Sequence, residues 1–293
     1  FSMLDLESIT RKWKWILAFN VGFILLLRTP FGEAGNTGNR AWLKFPFIPF
    51  QIGPAEVVKI SFVLLLAKQI EWLWEEKGDV KSFGSAFFVA AHTFGLCGLY
   101  FLVSHDMGNG LVFVFIFLCM AFVAGFALRW FFLLFAGAGG AMAAVLLLDL
   151  VPDNMKYMLN RFTVLFDHSF DPQGVGWQQT RSLLAIGSGG LWGQGYLGGS
   201  QTQSGSASLP AKQTDLIFSV AGEELGLFGC IAIMLLLLAI IFRILLVARK
   251  ARTPFYRYVC VGMASILIFQ TVINIGMCLF VMPTIGITLP FFS

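Results

Sequence analysis

Long apolar segments recur along the whole chain, and short polar stretches separate them. A helix needs about 20 mostly apolar residues to cross a hydrocarbon core of about 30 Å. Segments near this length predict seven membrane-spanning helices: 13–29, 54–72, 83–104, 108–127, 130–150, 217–248 and 257–282. Because these segments are continuous rather than alternating, the pattern favours helices over the strands of an outer-membrane barrel.

The composition agrees with a membrane environment. Only 12% of the 293 residues are charged, 57% are hydrophobic, and the mean hydropathy is +0.79. A soluble domain has about 25% charged residues, so this chain lacks the polar residues that would cover a surface in water. Apolar segments continue through both halves without a change in composition. We therefore expect one all-α polytopic membrane domain over residues 1–293.

Nucleic-acid, disulfide and zinc sites have little support. The net charge of +4 is small, and no cluster of Lys and Arg forms a stripe that could neutralise phosphates. All five cysteines lie in apolar segments and none forms a Cys-x-x-Cys pair, so they are typical of buried apolar side chains. The three histidines lack the spacing of zinc ligands.

Basic residues predict the orientation, because positively charged short loops stay in the cytoplasm. With the N-terminal segment inside, 12 of the 20 basic residues lie on the cytoplasmic side. The short outer loops then hold Arg28, Arg40 and Lys44. The segment 151–216 becomes a long extracytoplasmic loop, rich in Gly, Ser and Gln, and a loop of this length usually carries function.

Charged residues at the outer ends of the predicted spans are the first candidates for chemistry. Glu56 and Lys59 follow Pro54, which is favourable at the first position of a helix, and they project from one helix face. We expect an ion pair that either faces a substrate or only closes a helix end. Asp106 precedes the fourth span and has the pattern of a helix N-cap.

The densest polar cluster lies at the outer end of the sixth span, where Lys212 and Asp215 precede apolar residues. Two roles are open for this cluster. Thr214 or Asp215 could cap the helix, or Asp215 could act as a general base towards an external hydroxyl. A partly desolvated carboxylate beside a lysine suits the second role. Glu223 and Glu224 lie about 12 Å further along the helix, since each residue rises about 1.5 Å. We expect them to hydrogen-bond within the helix packing instead of pairing with Asp215.

Several motifs occur in an order that is typical of one family. They are GNRAWL (38–43), PAEVVKI (54–60), HDMGNGL (105–111), GVGWQQTRSLLAIGSGGLWGQG (174–195), PAKQTDLIFSVAGEELGLFG (210–229), NIGM (274–277) and GITLPFFS (286–293). Together they closely resemble the SEDS family of shape, elongation, division and sporulation proteins, which includes RodA, FtsW and SpoVE. The resemblance begins inside the family's pattern and stops before its usual tail, so we expect a piece of the family's domain that lacks both ends.

The resemblance implies a peptidoglycan glycosyltransferase that polymerises lipid II at the outer face of the bacterial cytoplasmic membrane. Its implied partners are a class B penicillin-binding protein, lipid II, the nascent glycan strand and membrane lipids. The catalytic Asp of the family's Thr-Asp pair falls on Asp215. The Glu and Lys of its Pro-x-Glu motif line a central cavity and fall on Glu56 and Lys59.

The implied reaction replaces an α-linked lipid pyrophosphate with a β-glycosidic bond. It therefore inverts the anomeric carbon, and one general base, Asp215, is sufficient. Arg or Lys side chains, or a divalent cation such as Mg²⁺ or Mn²⁺, must stabilise the leaving pyrophosphate, and no other cofactor is expected. The candidate substrate-binding residues are Arg40, Glu56, Lys59, Asp106, Lys212, Gln213 and Thr214.

Two other functions are compatible with the sequence. A lipid II flippase would also place charges in the membrane. It needs polar groups at both ends of its path, however, whereas Glu56, Asp106 and Asp215 all lie on the predicted outer side. A non-catalytic scaffold for a penicillin-binding protein would tolerate substitution of Asp215 as long as the complex assembles.

Overall fold

The computed structural model describes residues 6–34, 40–46, 51–78, 80–148, 161–166, 176–203, 209 and 211–293. Most of this part of the chain is helical, which confirms the predicted all-α class. The helices are α1 Leu6–Thr10, α2 Trp13–Leu25, α3 Pro54–Trp72, α4 Phe83–Ser104, α5 Met107–Val123, α6 Leu128–Leu147, α7 161–166, α8 Trp177–Gly189, α9 Ser200–Gln203, α10 Ile217–Arg249 and α11 Pro254–Cys278.

Every predicted span contains a helix, but the helices differ in their capacity to cross a membrane. Within the described residues, four are long and apolar enough by length and composition, namely α4, α6, α10 and α11. Helix α5 is apolar but has 17 residues, and α2 has 13. These helices agree with a multi-pass membrane protein, and the count of seven spans stays a prediction.

The chain divides into two compact units. The first comprises Phe1–Phe135 and Arg243–Ile266, and the second comprises Ala136–Phe242 and Leu267–Ser293. The single domain over 1–293 that the composition predicts stays a prediction.

Helix α3 forms the centre of the first unit, where it packs against α2, α4 and α5. It begins at Pro54, whose fixed backbone angle suits the first helical position. Its buried Phe62 meets Phe113 of α5 edge to face, with ring centroids 5.3 Å apart. A Cβ atom at Gly262 of α11 would lie 2.5 Å from a methyl group of Val63, so glycine at this position allows close helix packing.

A short hairpin precedes α3 in the first unit. Strands β1 Gly32–Ala34 and β2 Arg40–Leu43 pair antiparallel, with Glu33 opposite Trp42. Leu43 pairs further with Ile52, so the chain returns to the hairpin just before α3 begins. The sequence did not predict this hairpin, because strands of three and four residues are too short to show an alternating pattern.

Helix α10 is interrupted in the second unit. Gly226 has φ 68° and ψ −169°, a conformation that is essentially restricted to glycine. The interruption leaves helical backbone groups without their usual partners, and the segment after α8 supplies new ones. The N–H of Leu227 donates to the carbonyl of Gly190 at 3.0 Å, and the carbonyl of Glu223 accepts from the N–H of Gln194 at 2.9 Å.

The segment 151–216, which the sequence predicts as a long external loop, contains helices in its described part. Helix α8 has 13 residues and buries Gln179, Ser182, Ala185 and Gly189 along one face. Its Gly and Ser residues have weak intrinsic helix propensity, which is why composition alone favoured a loop. Residues 151–160, 167–175, 204–208 and 210 of the predicted loop lie outside the described part.

Candidate active site

The Thr-Asp pair of the second unit lies in a compact turn immediately before α10. Helix α10 begins at Ile217, one residue after Leu216 and two after Asp215. The carbonyl of Ala211 closes the turn by accepting the N–H groups of Thr214 and Leu216, both at 3.1 Å. Asp215 is half-buried at the end of this apolar helix. Both predicted roles of Asp215, helix capping and general base, therefore stay predictions.

The main chain of Asp215 is anchored from α11. The side-chain amide of Asn274 donates to the carbonyls of Asp215 and Ile287, each at 2.8 Å. Asn274 is fully buried, so its amide donates both bonds from inside the second unit. The backbone of Gly286 approaches the other end of the residue, since a Cβ atom there would lie 3.8 Å from Oδ2 of Asp215. Two segments of the second unit thus hold Asp215 at its carbonyl and flank its carboxylate.

The three residues before Asp215 differ in exposure. Lys212 is half-buried and its Nζ donates to the carbonyl of Thr202 in α9 at 2.5 Å. Gln213 and Thr214 are exposed. The carbonyl of Thr214 accepts a hydrogen bond from the Ser293 hydroxyl at 2.9 Å. The structure therefore gathers all four predicted residues of this motif around one turn, with Lys212 tied to the preceding helix.

The two glutamates of α10 take the structural role that the spacing predicts. The Glu223 carboxylate is fully buried and accepts backbone hydrogen bonds from Gln201 and Thr202 at 2.6 and 2.9 Å. Glu224 accepts from the Gln203 side chain at 3.1 Å. The prediction that these glutamates hydrogen-bond within the packing is confirmed.

In the first unit, Glu56 and Lys59 form the predicted ion pair. Nζ of Lys59 lies 2.5 Å from Oε1 of Glu56 within the first turns of α3. Lys59 is 1% exposed, whereas the Glu56 side chain is 52% exposed. The pair therefore joins a buried ammonium to a carboxylate that reaches the surface of the unit, a geometry that fits either of the two predicted roles.

Asp106 is buried at the start of α5 and acts as its N-cap, as predicted. Its carboxylate accepts from the backbone N–H of Asn109 at 3.3 Å and from the Asn109 side chain at 2.8 Å. The Tyr100 hydroxyl donates to it at 3.4 Å. Its negative charge also acts on Lys59, so the first unit brings Asp106 into the electrostatic surroundings of the Glu56–Lys59 pair.

Arg40 lies at the first position of β2 and is exposed. The same strand carries Trp42, and a Cβ atom at Gly53 would lie 3.3 Å from the Trp42 ring and 3.6 Å from Cγ of Glu56. The hairpin thus packs against the start of α3. This packing places strand β2, which carries Arg40, beside Gly53, the residue that precedes α3.

Sequence reasoning missed the anchoring residues Asn274 and Gly286. Both lie in motifs that carry the family resemblance, but neither has an obvious chemical role. An asparagine within an apolar helix is a usable signal, because an amide in a membrane segment requires a partner. Its partner, the Asp215 carbonyl, lies 59 residues away and is visible only in the fold.

The divalent cation stays a prediction. Among the residues that the structure describes, no group of three or more His, Cys, Asp and Glu side chains is placed to hold a metal ion.

Comparison with known proteins places the whole chain in one group. A family model named FTSW_RODA_SPOVE and described as "Cell cycle protein" matches residues 1–293. Stage V sporulation protein E of Bacillus subtilis is 34% identical over 285 residues, which cover 97% of this chain and 74% of that protein. A probable peptidoglycan glycosyltransferase FtsW of Coxiella burnetii is 36% identical over 281 residues, covering 94% and 72%.

Solved structures agree with this grouping. A structure described as showing the coordination of polymerization and crosslinking by a peptidoglycan synthase complex matches with TM-score 0.77 and 27% identity. That match covers 99% of this chain and 77% of the other. The rod shape determining protein RodA of Thermus thermophilus matches with TM-score 0.59 and 27% identity, covering 98% and 74%.

Proposed function

The chain belongs to the family of FtsW, RodA and SpoVE proteins and is a peptidoglycan glycosyltransferase, and we propose that Asp215 is the general base of its reaction. One observation carries this assignment. Asp215 is a half-buried carboxylate whose own carbonyl is fixed by the buried amide of Asn274 at 2.8 Å. A base that is held in place loses little freedom when it meets the hydroxyl that it deprotonates.

The proposed step is a single inverting displacement on lipid II. The Asp215 carboxylate takes the proton from the acceptor sugar hydroxyl while the hydroxyl oxygen attacks the anomeric carbon of the growing glycan. The bond from that carbon to the lipid pyrophosphate breaks, and the pyrophosphate leaves with the bonding electrons. One carboxylate is sufficient, since an inverting transfer forms no covalent glycosyl-enzyme intermediate.

Cations stabilise the charge that develops on the leaving pyrophosphate. In the second unit Lys212 has this role, with Gln213 and Thr214 as exposed hydrogen-bonding groups of the same turn. The first unit contributes substrate contacts of its own through Arg40 and the Glu56–Lys59 pair. Asp106 influences substrate binding through its charge, which acts on Lys59.

The protein is a multi-pass protein of the cytoplasmic membrane. We place the Asp215 turn at the outer face, because most basic residues of the short loops then lie inside. In this topology the chain forms a single membrane domain with seven spans, and residues 151–216 are extracytoplasmic.

The proposed partner is a class B penicillin-binding protein. Polymerisation alone yields uncrosslinked strands, and the matched synthase complex couples polymerization to crosslinking. A partner that crosslinks would complete the same pair of reactions for this chain.

The test is polymerisation of lipid II by the full-length protein with its partner, comparing Asp215→Asn and Asp215→Ala with the unmodified protein. Both variants remove the proton acceptor, and we expect a loss of rate on the order of 1,000-fold or more. Glu75→Gln is the matched control, since Glu75 is an exposed carboxylate on the predicted cytoplasmic side.

Normal glycan products from both Asp215 variants at equal expression would overturn the assignment. If those variants also kept cell-wall synthesis intact in vivo, the scaffold function would be the better explanation. Lipid II transport that depends on Asp215, without polymerisation, would instead favour the flippase.

A further inference from the structure

Glu223 makes more hydrogen bonds to the chain than a helix-packing role requires. Its fully buried carboxylate accepts the backbone N–H groups of Gln201 at 2.6 Å and Thr202 at 2.9 Å. The hydroxyls of Ser188 and Ser200 each donate to the same carboxylate at 3.2 Å. A buried carboxylate is stable only when its charge is compensated, and four donors from the segment 188–202 supply that compensation here.

A second contact fastens the same segment to the backbone of Glu223. The N–H of Gln194 donates to the Glu223 carbonyl at 2.9 Å, a carbonyl available for this bond because α10 is interrupted at Gly226. The Gln194 side chain accepts from the N–H of Ser200 at 2.9 Å and donates to the carbonyl of Ser188 at 3.1 Å. The side chain and the main chain of Glu223 therefore both hold the segment that leads to α9.

The segment that Glu223 holds contacts two cations, and one of them, Lys212, belongs to the Thr-Asp turn. Lys212 donates to the carbonyl of Thr202, whose N–H is bonded to Glu223. Arg181 of α8 donates to the side chain of Gln201, the other residue bonded to Glu223, at 3.4 Å. One carboxylate thus fixes two consecutive residues, and each of them contacts a different cation.

We propose that Glu223 is a positioning residue, which holds Gln201 and Thr202 so that Lys212 and the turn bearing Asp215 keep their geometry for catalysis. The proposal rests on the assignment of Asp215 as general base. Lys212 lies three residues before Asp215 in the same turn, so a displaced Thr202 carbonyl moves the anchor of that turn. Displacement of a reacting group by about 1 Å can lower a rate on the order of 100-fold.

The effect requires the carboxylate and not only its shape. In Glu223→Gln an amide NH₂ replaces one oxygen and faces a backbone N–H, so a repulsive contact replaces at least one hydrogen bond. Glu223→Asp keeps the charge and shortens the side chain by one methylene group. Glu224→Gln is the matched control, because the neighbouring carboxylate accepts from the Gln203 side chain and lies one residue further along the helix.

The experiment uses the full-length protein with its partner and measures two quantities for each variant. The first is hydrogen exchange at the amides of Gln201 and Thr202, and the second is kcat for lipid II polymerisation. We expect faster exchange and a kcat lower by about tenfold to a hundredfold in Glu223→Gln. Glu223→Asp should be intermediate in both hydrogen exchange and kcat. This variant also allows the proposal to be tested if Glu223→Gln does not fold. Glu224→Gln should match the unmodified protein.

Unchanged kcat in Glu223→Gln would overturn the proposal, whether or not the amides exchange faster. An equal loss of kcat in Glu223→Gln and Glu223→Asp without faster exchange would also contradict it, since the anchor would then be intact. Failure of the general-base assignment gives a different result. It would appear as an active Asp215→Asn protein in which Glu223→Gln still loosens the amides of α9.

Discussion

The buried side-chain amide of Asn274 donates a hydrogen bond to the backbone carbonyl of Asp215 at 2.8 Å. The same amide also donates to the carbonyl of Ile287 at 2.8 Å. One side chain in α11 therefore joins the turn before α10 to the chain's last described segment. Because the bond is made to the main chain, it fixes the position of Asp215 without involving the carboxylate.

Asn274→Leu should lower both activity and stability. The substitution keeps the approximate size of the side chain but removes both donors, so two buried carbonyls lose this partner. We expect a loss of about 1–3 kcal/mol in the free energy of unfolding, the usual penalty for a buried unsatisfied polar group. Polymerisation should fall by about tenfold or more, because Asp215 is no longer held. Thermal unfolding in detergent and lipid II polymerisation measure the two effects.

Val272→Ala is the control for this prediction. Val272 lies two residues away on the same helix but is 51% exposed, so its truncation leaves the anchor untouched. Equal stability and equal turnover in Asn274→Leu and the unmodified protein would show that the hydrogen bonds donated by the Asn274 side chain are dispensable.

Lys59→Met should separate the charge of the ion pair from its packing. Methionine is apolar and close in length to the aliphatic part of a lysine side chain. It can therefore occupy the position of Lys59, which is 1% exposed. The remaining Glu56 side chain is 52% exposed and can be hydrated, so we expect the fold to survive. Polymerisation should fall by at least about tenfold if the pair contacts substrate charge. Lys250→Met, at an exposed lysine after α10, is the control. Turnover equal to that control would leave the pair with a purely structural role.

Gly226→Ala should severely destabilise the second unit. A non-glycine residue at φ 68° and ψ −169° is strained by about 1–3 kcal/mol. The added Cβ would also lie 2.3 Å from the backbone nitrogen of Gly193 and 2.6 Å from the carbonyl oxygen of Leu191. Gly187→Ala is the control, because a Cβ there meets nothing within 4 Å. A thermal unfolding midpoint equal to that control would contradict the requirement for glycine at the interruption of α10.

The sequence predicts the regular helices well, because their signals are local. Helices α3 and α4 begin and end at the residues expected from the apolar pattern. Pro54 starts the first of these, and Ser82 caps the second by accepting the N–H of Ser85. Such capping depends on a few neighbouring side chains, so it can be read without the fold.

The sequence does not predict the interruption of α10 or the anchoring of Asp215, because both depend on distant partners. Gly226 lies within the predicted sixth span, and the backbone atoms of Leu191 and Gly193 that pack against it come from a distant part of the chain. Asn274 likewise meets a carbonyl 59 residues away. The candidate site is thus identified by its motif, whereas its geometry comes from contacts that no local pattern encodes.

Two substitutions of Asp106 separate its role as a helix cap from the effect of its negative charge on Lys59. Asp106→Ala removes the acceptor for the N–H of Asn109 and should destabilise the protein by about 1 kcal/mol. Asp106→Asn keeps one acceptor oxygen for the N–H of Asn109, and asparagine is as good an N-cap as aspartate, so this variant should lose less stability than Asp106→Ala. It nevertheless removes the negative charge that acts on Lys59. Thermal unfolding should therefore rank Asp106→Asn above Asp106→Ala, while lipid II polymerisation should fall in both. Full polymerisation by Asp106→Asn would assign Asp106 to helix capping alone.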